Sequence, residues 1–386
     1  MITEKLYYLD NNMSEFDAVV VDCKENNKGI YEVILDKTAF FPEEGGQYAD
    51  TGMIDNVRVI GAKEKYGVIT HFTNSPLTTG ITVHCKLDFG ARYAKMQCHS
   101  AEHIVSGLIS KHYSLNNVGF HLGNDDVTLD FDGMLTLKQL DEIEALANEV
   151  VYSNIPIRCE FPDSEELKNL DYRSKIELNE NVRIVTIEDI DICACCAPHV
   201  SMTGEIGIIK LLDFMSYKGG IRIHMLAGVR ALEDYKDRYF KCREISNMLS
   251  VKQEAICDGV SRVMNEVGKL KGEISALRRA HLDYLTENLT KSDSSIIIFD
   301  SILTQNEGRI LANTATAFTD SFVAVFCDRG DGSYIYIITA KAGLESLVMK
   351  VSETLKEHFS AKGGGKGLML SGNITADKDD ILKALS

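Results

Sequence analysis

Hydrophobic and polar positions in the first 90 residues follow the short alternation that is typical of β-strands. Four runs are rich in β-branched and aromatic residues and are separated by turn-forming residues: AVVVDC, IYEVILD, GVITHF and ITVHCKLDF. The pattern predicts a small barrel or curled sheet, and we take residues 1–90 as an N-terminal β-rich domain.

The apolar spacing becomes helical after residue 91. Residues 92–113 place apolar and histidine side chains three and four positions apart, and LKQLDEIEALANEVVYSN repeats that spacing. VRIVTI, GEIGIIKLLDF and GIRIHMLAG then predict strands. We therefore expect an α/β domain over residues 91–230.

A long seam of apolar residues follows. From Ile256 to Tyr284 these residues step by alternating fours and threes for about four heptads. All five prolines lie at or before residue 198, so none interrupts this segment. The pattern predicts a helical or coiled-coil linker over residues 231–290, and the seam predicts a homodimer. An intramolecular hairpin, or packing on its own domain, would bury the same stripe.

The remaining residues, 291–386, read as a separate α/β unit. SIIIFDSIL, SFVAVFC and YIYIITA predict strands, and LESLVMKVSETLKEHF predicts an amphipathic helix. The segment from Lys341 to Lys366 is locally basic, and glycines 363–365 would expose N–H groups to phosphate. A flexible turn is the alternative for that stretch. The predicted fold class of the whole chain is α+β.

Composition excludes several classes of protein. The chain has 386 residues, 45% of them hydrophobic, and 41 basic against 57 acidic residues give a net charge of −16. Wholesale disorder and general coating of nucleic acid are excluded, although a local basic patch can still bind RNA. The sequence has no apolar run long enough to span a membrane and no apparent targeting segment, so we expect a cytoplasmic protein. Its ten cysteines then indicate reduced thiols or a metal site.

The first candidate metal ligands are His99 and His103. Four positions apart on a helix, both imidazoles can reach one ion. Glu102 lies between them, but metalloproteases place the acid directly after the first histidine. The pair is weak evidence alone, and the order of residues gives no support for a protease.

A second half of such a site lies about 90 residues further on, in the sequence Cys193-Ala-Cys195-Cys196-Ala-Pro198-His199. Thiolate and imidazole are the ligands that zinc prefers. Together with the two helical histidines, this cluster predicts a tetrahedral zinc site of three histidines and one cysteine. The residue chemistry allows either Cys195 or Cys196 to be the cysteine ligand.

The third motif is a loop that runs from Thr38 through Pro42 and two glycines to Gln47. Glycines 45 and 46 permit positive φ or close approach to a ligand, and Gln47 offers a donor and an acceptor. A tight hairpin with a surface glutamine is the alternative.

These three motifs resemble those of the AlaX-type alanyl-tRNA editing proteins, in the longer form with a C-terminal DHH-associated domain. That family comprises free-standing relatives of the editing domain of alanyl-tRNA synthetase. The matching stretches are Thr38 to Gln47, His99 to His103, and Cys195 to Gly204, with Asp88 and Arg92 before the helix. The family spacing Cys-x-x-x-His selects Cys195. The resemblance covers most of residues 1–230 and is looser in the tail.

The resemblance implies a hydrolase that deacylates mischarged tRNA(Ala), with Ser-tRNA(Ala) as the main substrate and Gly-tRNA(Ala) as another. It implies Zn2+ on His99, His103, Cys195 and His199, and ATP is not expected for the chemistry. Thr38 would recognise the serine hydroxyl, Gln47 would hold the ester or the terminal ribose, and Glu102 is a candidate general base. The tail residues Lys362, Gly363, Gly364, Gly365 and Lys366 would contact tRNA.

Two departures from the family pattern bear on the substrate pocket. Glu44 stands where the family often has a third glycine, and Cys195-Cys-Ala-Pro-His199 replaces the usual Cys-Gly-Gly-Thr-His. The sequence contains neither an Asp-His-His phosphodiesterase motif nor an aminoacylation domain, so the expected editing acts in trans. The alternatives are a zinc-stabilised tRNA-binding module without hydrolysis and a metal-bound structural dimer without an RNA partner.

Overall fold

The computed structural model describes residues 2–123, 127–174, 182–365 and 367–385. The chain folds into two compact units, Met1–Arg243 and Glu244–Ser386, which are considered separately below. The finer division into four domains stays a prediction. The mixed α+β class is confirmed, with a closed barrel and eight helices among the described residues.

The first unit begins with the predicted β-rich part. Its strands are β1 (Glu4–Lys5), β2 (Glu15–Glu25), β3 (Tyr31–Leu35), β4 (Lys37–Thr38), β5 (Gly52–Ile54), β6 (Val57–Lys65), β7 (Val68–Thr73) and β8 (Thr82–Leu87). Six of them close a barrel in the order β2-β3-β7-β6-β5-β8, and β1 pairs with β4 in parallel. Alternate residues of β2 (Phe16, Ala18 and Val20) are buried, because alternate side chains of a strand point to opposite faces.

The rest of the first unit packs around a long helix. Its elements are α1 (Phe89–Tyr113), β9 (Asn117–Leu122), β10 (Val127–Phe131), α2 (Leu137–Ser153), β11 (Ile157–Glu160), α3 (Ser164–Asn169), β12 (Ile184–Ile187), β13 (Asp191–Ala194), β14 (Ile209–Tyr217), β15 (Gly220–Ala227) and α4 (Gly228–Leu249). They form one sheet of order β14-β15-β10-β9 and another of order β11-β12-β13. Every residue of α1 from Ala94 to Ile109 is buried. Because buried polar side chains need partners, the polar residues of α1 must bond to the elements around it.

One such bond ties α1 to the barrel. Arg92 in the first turns of α1 is 1% exposed and donates through Nε to Oδ2 of Asp50 at 2.7 Å. Its guanidinium also bonds the carbonyl of Ala39 at 2.6 Å, and Asp50 accepts the N–H of Phe41 at 2.8 Å. The loop between β4 and β5 is thereby fixed on the helix.

A glycine allows β13 to approach the other end of the same helix. A Cβ atom on Gly107 would lie 2.3 Å from the carbonyl oxygen of Ile190, so only glycine leaves room for this strand. Asp191, the next residue after Ile190, begins β13 and is brought against α1.

The second unit contains a long helix and a five-stranded sheet. Its elements are α5 (Ile256–Glu287), β16 (Ile296–Asp300), α6 (Gln305–Ala315), β17 (Phe322–Asp328), β18 (Ser333–Ala340), α7 (Glu345–Phe359), β19 (Lys362–Gly364), β20 (Met369–Thr375) and α8 (Lys378–Leu385). The sheet order is β16-β17-β18-β20-β19, and only β16 and β17 pair in parallel. One face packs on α6, with Leu282 of α5, and the other on α7 and α8. No helix of the described residues is both long and apolar enough to cross a membrane.

The glycine-rich tail lies at the edge of this sheet. Lys362, Gly363 and Gly364 form β19, and a Cβ on Gly363 would lie 2.5 Å from the carbonyl oxygen of Ser371. Close pairing with β20 therefore accounts for Gly363. A Cβ on Gly365 would lie 2.6 Å from the carbonyl oxygen of Met369, and Lys366 lies outside the described residues. The role of this stretch in binding tRNA stays a prediction.

The apolar seam of α5 is exposed along most of its length. Only Gly259 and Leu282 of this helix are buried. The seam residues from Val260 to Leu277 are 41% to 70% exposed, and these are Val260, Val263, Val267, Leu270, Ile274 and Leu277. In heptad terms, β-branched residues occupy the a positions, and two of the d positions are leucine. This pattern favours two-stranded parallel coiled coils.

We predict that α5 pairs with α5 of a second copy, in parallel. In that register Glu266 and Glu273 take g positions opposite Lys271 and Arg278 at e, so the flanking charges are complementary. Light scattering at micromolar concentration should give twice the mass of 42.9 kDa. Ile274→Glu should give the monomer mass, because it places a charge in the seam.

Ala276→Glu is the matched control, since the same charge is added two residues away on the exposed face of α5. It should leave the dimer intact. A monomeric parent protein, or equal effects of the two substitutions, would contradict pairing through the seam.

Candidate metal centre and its pocket

Four side chains converge in the first unit, and they are the four that were predicted from the sequence as metal ligands. His99 and His103 project from α1, and Cys195 and His199 follow β13. One ligand atom from each lies within 4.8 Å of all the others. Sγ of Cys195 is 3.5 Å from Nε2 of His99 and 3.4 Å from Nε2 of His199. The structure therefore forms a candidate metal-binding cluster.

Each of the three imidazoles is oriented by a hydrogen bond at its other nitrogen. The pairs are His99 Nδ1 with Gln47 Oε1 at 3.0 Å, His103 Nδ1 with Asp191 Oδ2 at 2.8 Å, and His199 Nδ1 with Ser100 Oγ at 3.0 Å. The oxygens of Gln47 and Asp191 can only accept, so they place a proton on Nδ1 of the rings that they contact. The Ser100 hydroxyl can donate or accept, so it orients the His199 ring without fixing its tautomer. All three Nε2 atoms are thus directed to the cluster.

Asp191 is itself held in place by an arginine. Arg173 donates through Nε to Oδ1 of Asp191 at 2.7 Å and through Nη2 to Oδ2 at 2.8 Å. Burial opposes the charge on Arg173, but the bonds to Asp191 raise its pKa. His103, Asp191 and Cys193 form a second group with close ligand atoms. Because Asp191 already bonds both Arg173 and His103, we interpret this group as support for His103.

The protonation states of Cys195 and His199 match those of metal ligands, whereas His103 would have to lose a proton from Nε2 to bind an ion. Burial acts to raise the pKa of Cys195, but His99 and His199 and its hydrogen bonds hold it well below the usual range, which favours the thiolate. Burial lowers the pKa of His199 to about 3, so this imidazole is neutral. Burial also opposes the charge on His103, but the bond to Asp191 raises its pKa well above the usual value. One sulfur and three nitrogen donors are a set that zinc accepts.

Gln47, which was expected to hold the ester or the terminal ribose, lies against the ring of His99. It is fully buried, and its carbonyl oxygen bonds the ring of His99, while its Nε2 has no hydrogen-bond partner among the described residues. A direct role toward the ester or ribose stays a prediction. What the structure shows is a residue that orients a candidate ligand.

The two glycines before Gln47 place it there. A Cβ on Gly46, whose φ is +79°, would lie 2.5 Å from the carbonyl oxygen of Phe120 in β9. The N–H of Leu122 donates to the carbonyl of Gly46 at 2.7 Å. The loop can therefore dock on β9 only with glycine at this position, and docking delivers Gln47 to His99.

Glu102 lies beside the cluster with its carboxylate held in place. Oε1 accepts hydrogen bonds from Ser106 at 2.9 Å and from Asn117 at 2.7 Å, and Oε2 is 3.8 Å from Nε2 of His103. The residue is 3% exposed and lines the cavity described below. Of the three residues proposed for catalysis, it alone borders that cavity.

Thr38 lies inside the barrel region and does not line the cavity. Its hydroxyl accepts the N–H of Phe40 at 3.1 Å and is 2.8 Å from Nε2 of His71. Nδ1 of His71 donates to the carbonyl of Val33 at 3.1 Å, and burial lowers the pKa of His71 to about 4. The neutral ring therefore accepts the Thr38 proton at Nε2. Recognition of a serine hydroxyl by Thr38 stays a prediction that this contact does not support.

A cavity of about 460 Å³ opens beside the cluster. His99, His103, Cys195 and Glu102 line one part of it. The remaining wall includes five aromatic or cationic residues: Lys5, Tyr8, Phe120, Phe161 and Arg183. Arg183 is 8% exposed, and its Nη1 donates to the carbonyls of Cys195 at 3.0 Å and Ala197 at 2.7 Å, so it braces the loop that carries the cysteine.

Sequence reasoning missed Asp191, Ser100, Arg173 and Arg183. Ser100 follows His99 directly and Asp191 lies two residues before Cys193, so nearness to the motifs was a signal for these two. For the two arginines we find no signal in the sequence, because only the folded chain brings them to the cluster.

Comparison with known proteins gives two family matches. Residues 182–224 match the family described as the threonyl and alanyl tRNA synthetase second additional domain. Residues 4–90 match the family of class II (A) tRNA synthetases. The two segments contain Gln47, Cys195 and His199 but neither His99 nor His103.

Whole-chain relatives extend these matches. The chain is 28% identical over 397 residues to alanyl-tRNA editing protein AlaX-L of Pyrococcus horikoshii, covering 98% of this chain and 96% of that protein. It is 30% identical over 359 residues to an alanine–tRNA ligase of Haloquadratum walsbyi, covering 87% of this chain and 38% of the ligase. It is 34% identical over 283 residues to one of Halobacterium salinarum, covering 68% of this chain and 30% of the ligase.

A solved structure, the C-Ala domain of Aquifex aeolicus alanyl-tRNA synthetase, covers 25% of this chain at 18% identity, with a TM-score of 0.20 that is too low to support an argument. A C-terminal DHH-associated domain stays a prediction. The chain is thus similar to an alanyl-tRNA editing protein over nearly its whole length, and to alanine–tRNA ligases over less than half of theirs.

Proposed function

We propose that the protein is a zinc-dependent hydrolase that cleaves the ester between a wrong amino acid and tRNA(Ala), with serine as the main amino acid and glycine as another. The observation that carries the proposal is the convergence of Cys195 and three Nε2 atoms at one side of a cavity. The similarity to AlaX-L and to alanine–tRNA ligases supplies the substrate. We propose that it edits in trans, because it matches the alanyl-tRNA editing protein AlaX-L over 96% of that protein's length.

The residues that would hold the zinc are His99, His103, Cys195 and His199. When bound, zinc supplies a positive charge that polarises an ester carbonyl or lowers the pKa of a water molecule. Gln47, Asp191 and Ser100 keep the three imidazole rings oriented with Nε2 toward the cluster before any ion arrives.

Four protein donors complete a tetrahedral set, whereas catalytic zinc sites usually keep one position open. We therefore propose that a bound zinc would chiefly position the ester and contribute positive charge near its carbonyl, and that a protein group accepts the proton of the attacking water. Glu102 is our candidate for that group. Ser106 and Asn117 hold one of its oxygens, so the carboxylate has a fixed orientation beside His103.

Selection of serine requires a polar contact in the pocket. A site that merely fits alanine rejects an added hydroxyl weakly, whereas a site that bonds the hydroxyl can discriminate strongly. Thr38 is the proposed partner on the strength of the motif, and the structure gives its hydroxyl two bonds inside the barrel region. The substitution described below decides between these roles.

A second candidate function is a zinc-stabilised module that binds tRNA without hydrolysis. The complete set of four donors favours it, because structural zinc sites are closed in this way. Binding without deacylation is the outcome that would identify this module.

We predict that the purified protein binds one zinc ion per chain and that His99→Ala combined with His103→Ala abolishes binding. The double substitution removes two of the four donors. Metal analysis after dialysis is the measurement, and His112→Ala, an exposed histidine on the same helix, is the control. Zinc content unchanged in the double variant would eliminate this site.

We predict that Gln47→Leu weakens zinc binding by about 10- to 100-fold, the range found for partners of ligating histidines. The substitution removes the acceptor of the His99 Nδ1 proton while the four donors remain. Competition with a chromophoric chelator measures the affinity. Tyr48→Leu changes the exposed neighbouring residue and should leave it unaltered. Equal affinities of Gln47→Leu and the parent protein would show that this hydrogen bond does not orient His99.

We predict that the protein deacylates Ser-tRNA(Ala) faster than Ala-tRNA(Ala), and that Cys195→Ala abolishes the activity. Glu102→Gln should lower the rate by about 10²- to 10⁴-fold, as expected for a general base, and zinc should stay bound. Glu149→Gln, on the exposed face of α2, is the control. If the parent protein binds tRNA but releases no serine, glycine or alanine, the binding module replaces the hydrolase.

Thr38→Val deletes a hydroxyl and keeps the side-chain shape. If Thr38 recognises serine, the ratio of Ser-tRNA to Ala-tRNA hydrolysis should fall by about threefold to tenfold, the value of one buried hydrogen bond. Urea unfolding should be measured on the same samples. An unchanged ratio, with the free energy of unfolding lowered by about 0.5–1.5 kcal/mol, would assign the hydroxyl to its structural contacts with His71 and Phe40.

A further inference from the structure

The cavity beside the cluster is larger than a serine or glycine residue requires. At about 460 Å³ it lies within the range of about 300–1,000 Å³ that is typical of pockets for whole small molecules. If the proposed function is correct, the ester to be cleaved joins the amino acid to the terminal ribose of tRNA. The last nucleoside must then lie at the same cavity, in the part that the metal cluster does not occupy.

That part of the cavity has an aromatic wall from two distant segments. Tyr8 follows β1, and Phe161 follows β11 directly. Their rings lie edge to face with centroids 5.3 Å apart and an interplanar angle of 72°. Both border the cavity, and Phe161 is 52% exposed. A small polar acyl group makes no use of such a wall, whereas a nucleobase does.

Of the two rings, Tyr8 is the one held in place by cationic side chains. The guanidinium of Arg183 lies 5.1 Å and Nζ of Lys5 5.7 Å from the Tyr8 ring centroid. Arg183 donates hydrogen bonds to the carbonyls of Cys195 and Ala197. Nζ of Lys5 lies 2.8 Å from Oε2 of Glu64. Tyr8 is therefore a braced support, and Phe161 offers the exposed ring.

We propose that Phe161, supported by Tyr8, is the stacking platform for the terminal nucleobase of the tRNA substrate. Unpaired bases at RNA ends are recognised largely by stacking on aromatic side chains. This inference rests on the proposed function for the identity of the RNA. The platform is a binding feature, and its effect is separate from the hydrolytic step.

The test uses deacylated tRNA(Ala), which needs no hydrolysis, and the same tRNA lacking its terminal nucleotide. The parent protein should bind the complete tRNA more tightly. Phe161→Ala should weaken binding of the complete tRNA by about 5- to 100-fold, the range for loss of one stacked base, and should leave the truncated tRNA unaffected. Tyr152→Ala removes an aromatic ring that is 74% exposed on α2 and should change neither affinity.

A second variant retains the ring. Phe161→Trp introduces the only tryptophan of a chain that has none, so its fluorescence reports on position 161 alone. Complete tRNA should quench it and truncated tRNA should not. The proposal is contradicted if the parent protein binds the two tRNAs with equal affinity, or if Phe161→Ala lowers the affinity for both tRNAs equally.

These outcomes are distinct from failure of the proposed function. Seryl-tRNA that stays intact while the preference for complete tRNA persists refutes the hydrolase and retains the platform. Absence of binding to either tRNA refutes both proposals.

Discussion

The buried ion pair between Asp50 and Arg92 is the constraint on which the candidate site depends. Arg92 lies seven residues before His99 on α1, about 10 Å along the axis, and Asp50 lies three residues after Gln47. The pair therefore clamps the loop that carries Gln47 to the helix that carries two candidate ligands. Such a pair gains little net stability over an apolar contact, but losing one partner costs about 3–5 kcal/mol. The contribution of the pair is to specify a single position for the loop on the helix.

Several features of the site could be predicted because they are local in sequence. His99 and His103 are one helical turn apart, and Cys195 and His199 are separated by three residues in one loop. Residues that are close in sequence stay close after folding. The structure accordingly brings together the four residues that the sequence predicted as metal ligands. The partners of the imidazoles were not predictable in the same way. Asp191 reaches His103 only because Gly107 admits β13 to within contact of α1, and that approach is a property of packing.

The loop from Thr38 to Gln47 shows that a motif can be recognised from sequence when the contacts of its side chains cannot. Its glycines predicted either positive φ or close approach to a ligand, and in the structure Gly46 has a φ of +79° and lies close to the backbone of β9. Gln47 was expected to face the substrate and is found behind His99. Thr38 is bonded to His71 within the barrel region. Sequence pattern identifies which residues matter at such a loop, whereas the direction of each side chain depends on the neighbours that folding supplies.

The three oriented imidazoles receive their partners from three segments: the barrel loop through Gln47, α1 through Ser100 and β13 through Asp191. A complete donor set therefore exists only when all three segments have docked. A bound metal ion would then stabilise the docked arrangement, because the free energy of binding to a site that forms only on folding adds to the stability of the fold. Substitutions at these partners are consequently expected to lower metal affinity and stability together. Glu102, which lies beside the cluster without ligating it, is the residue at which chemistry can be separated from folding.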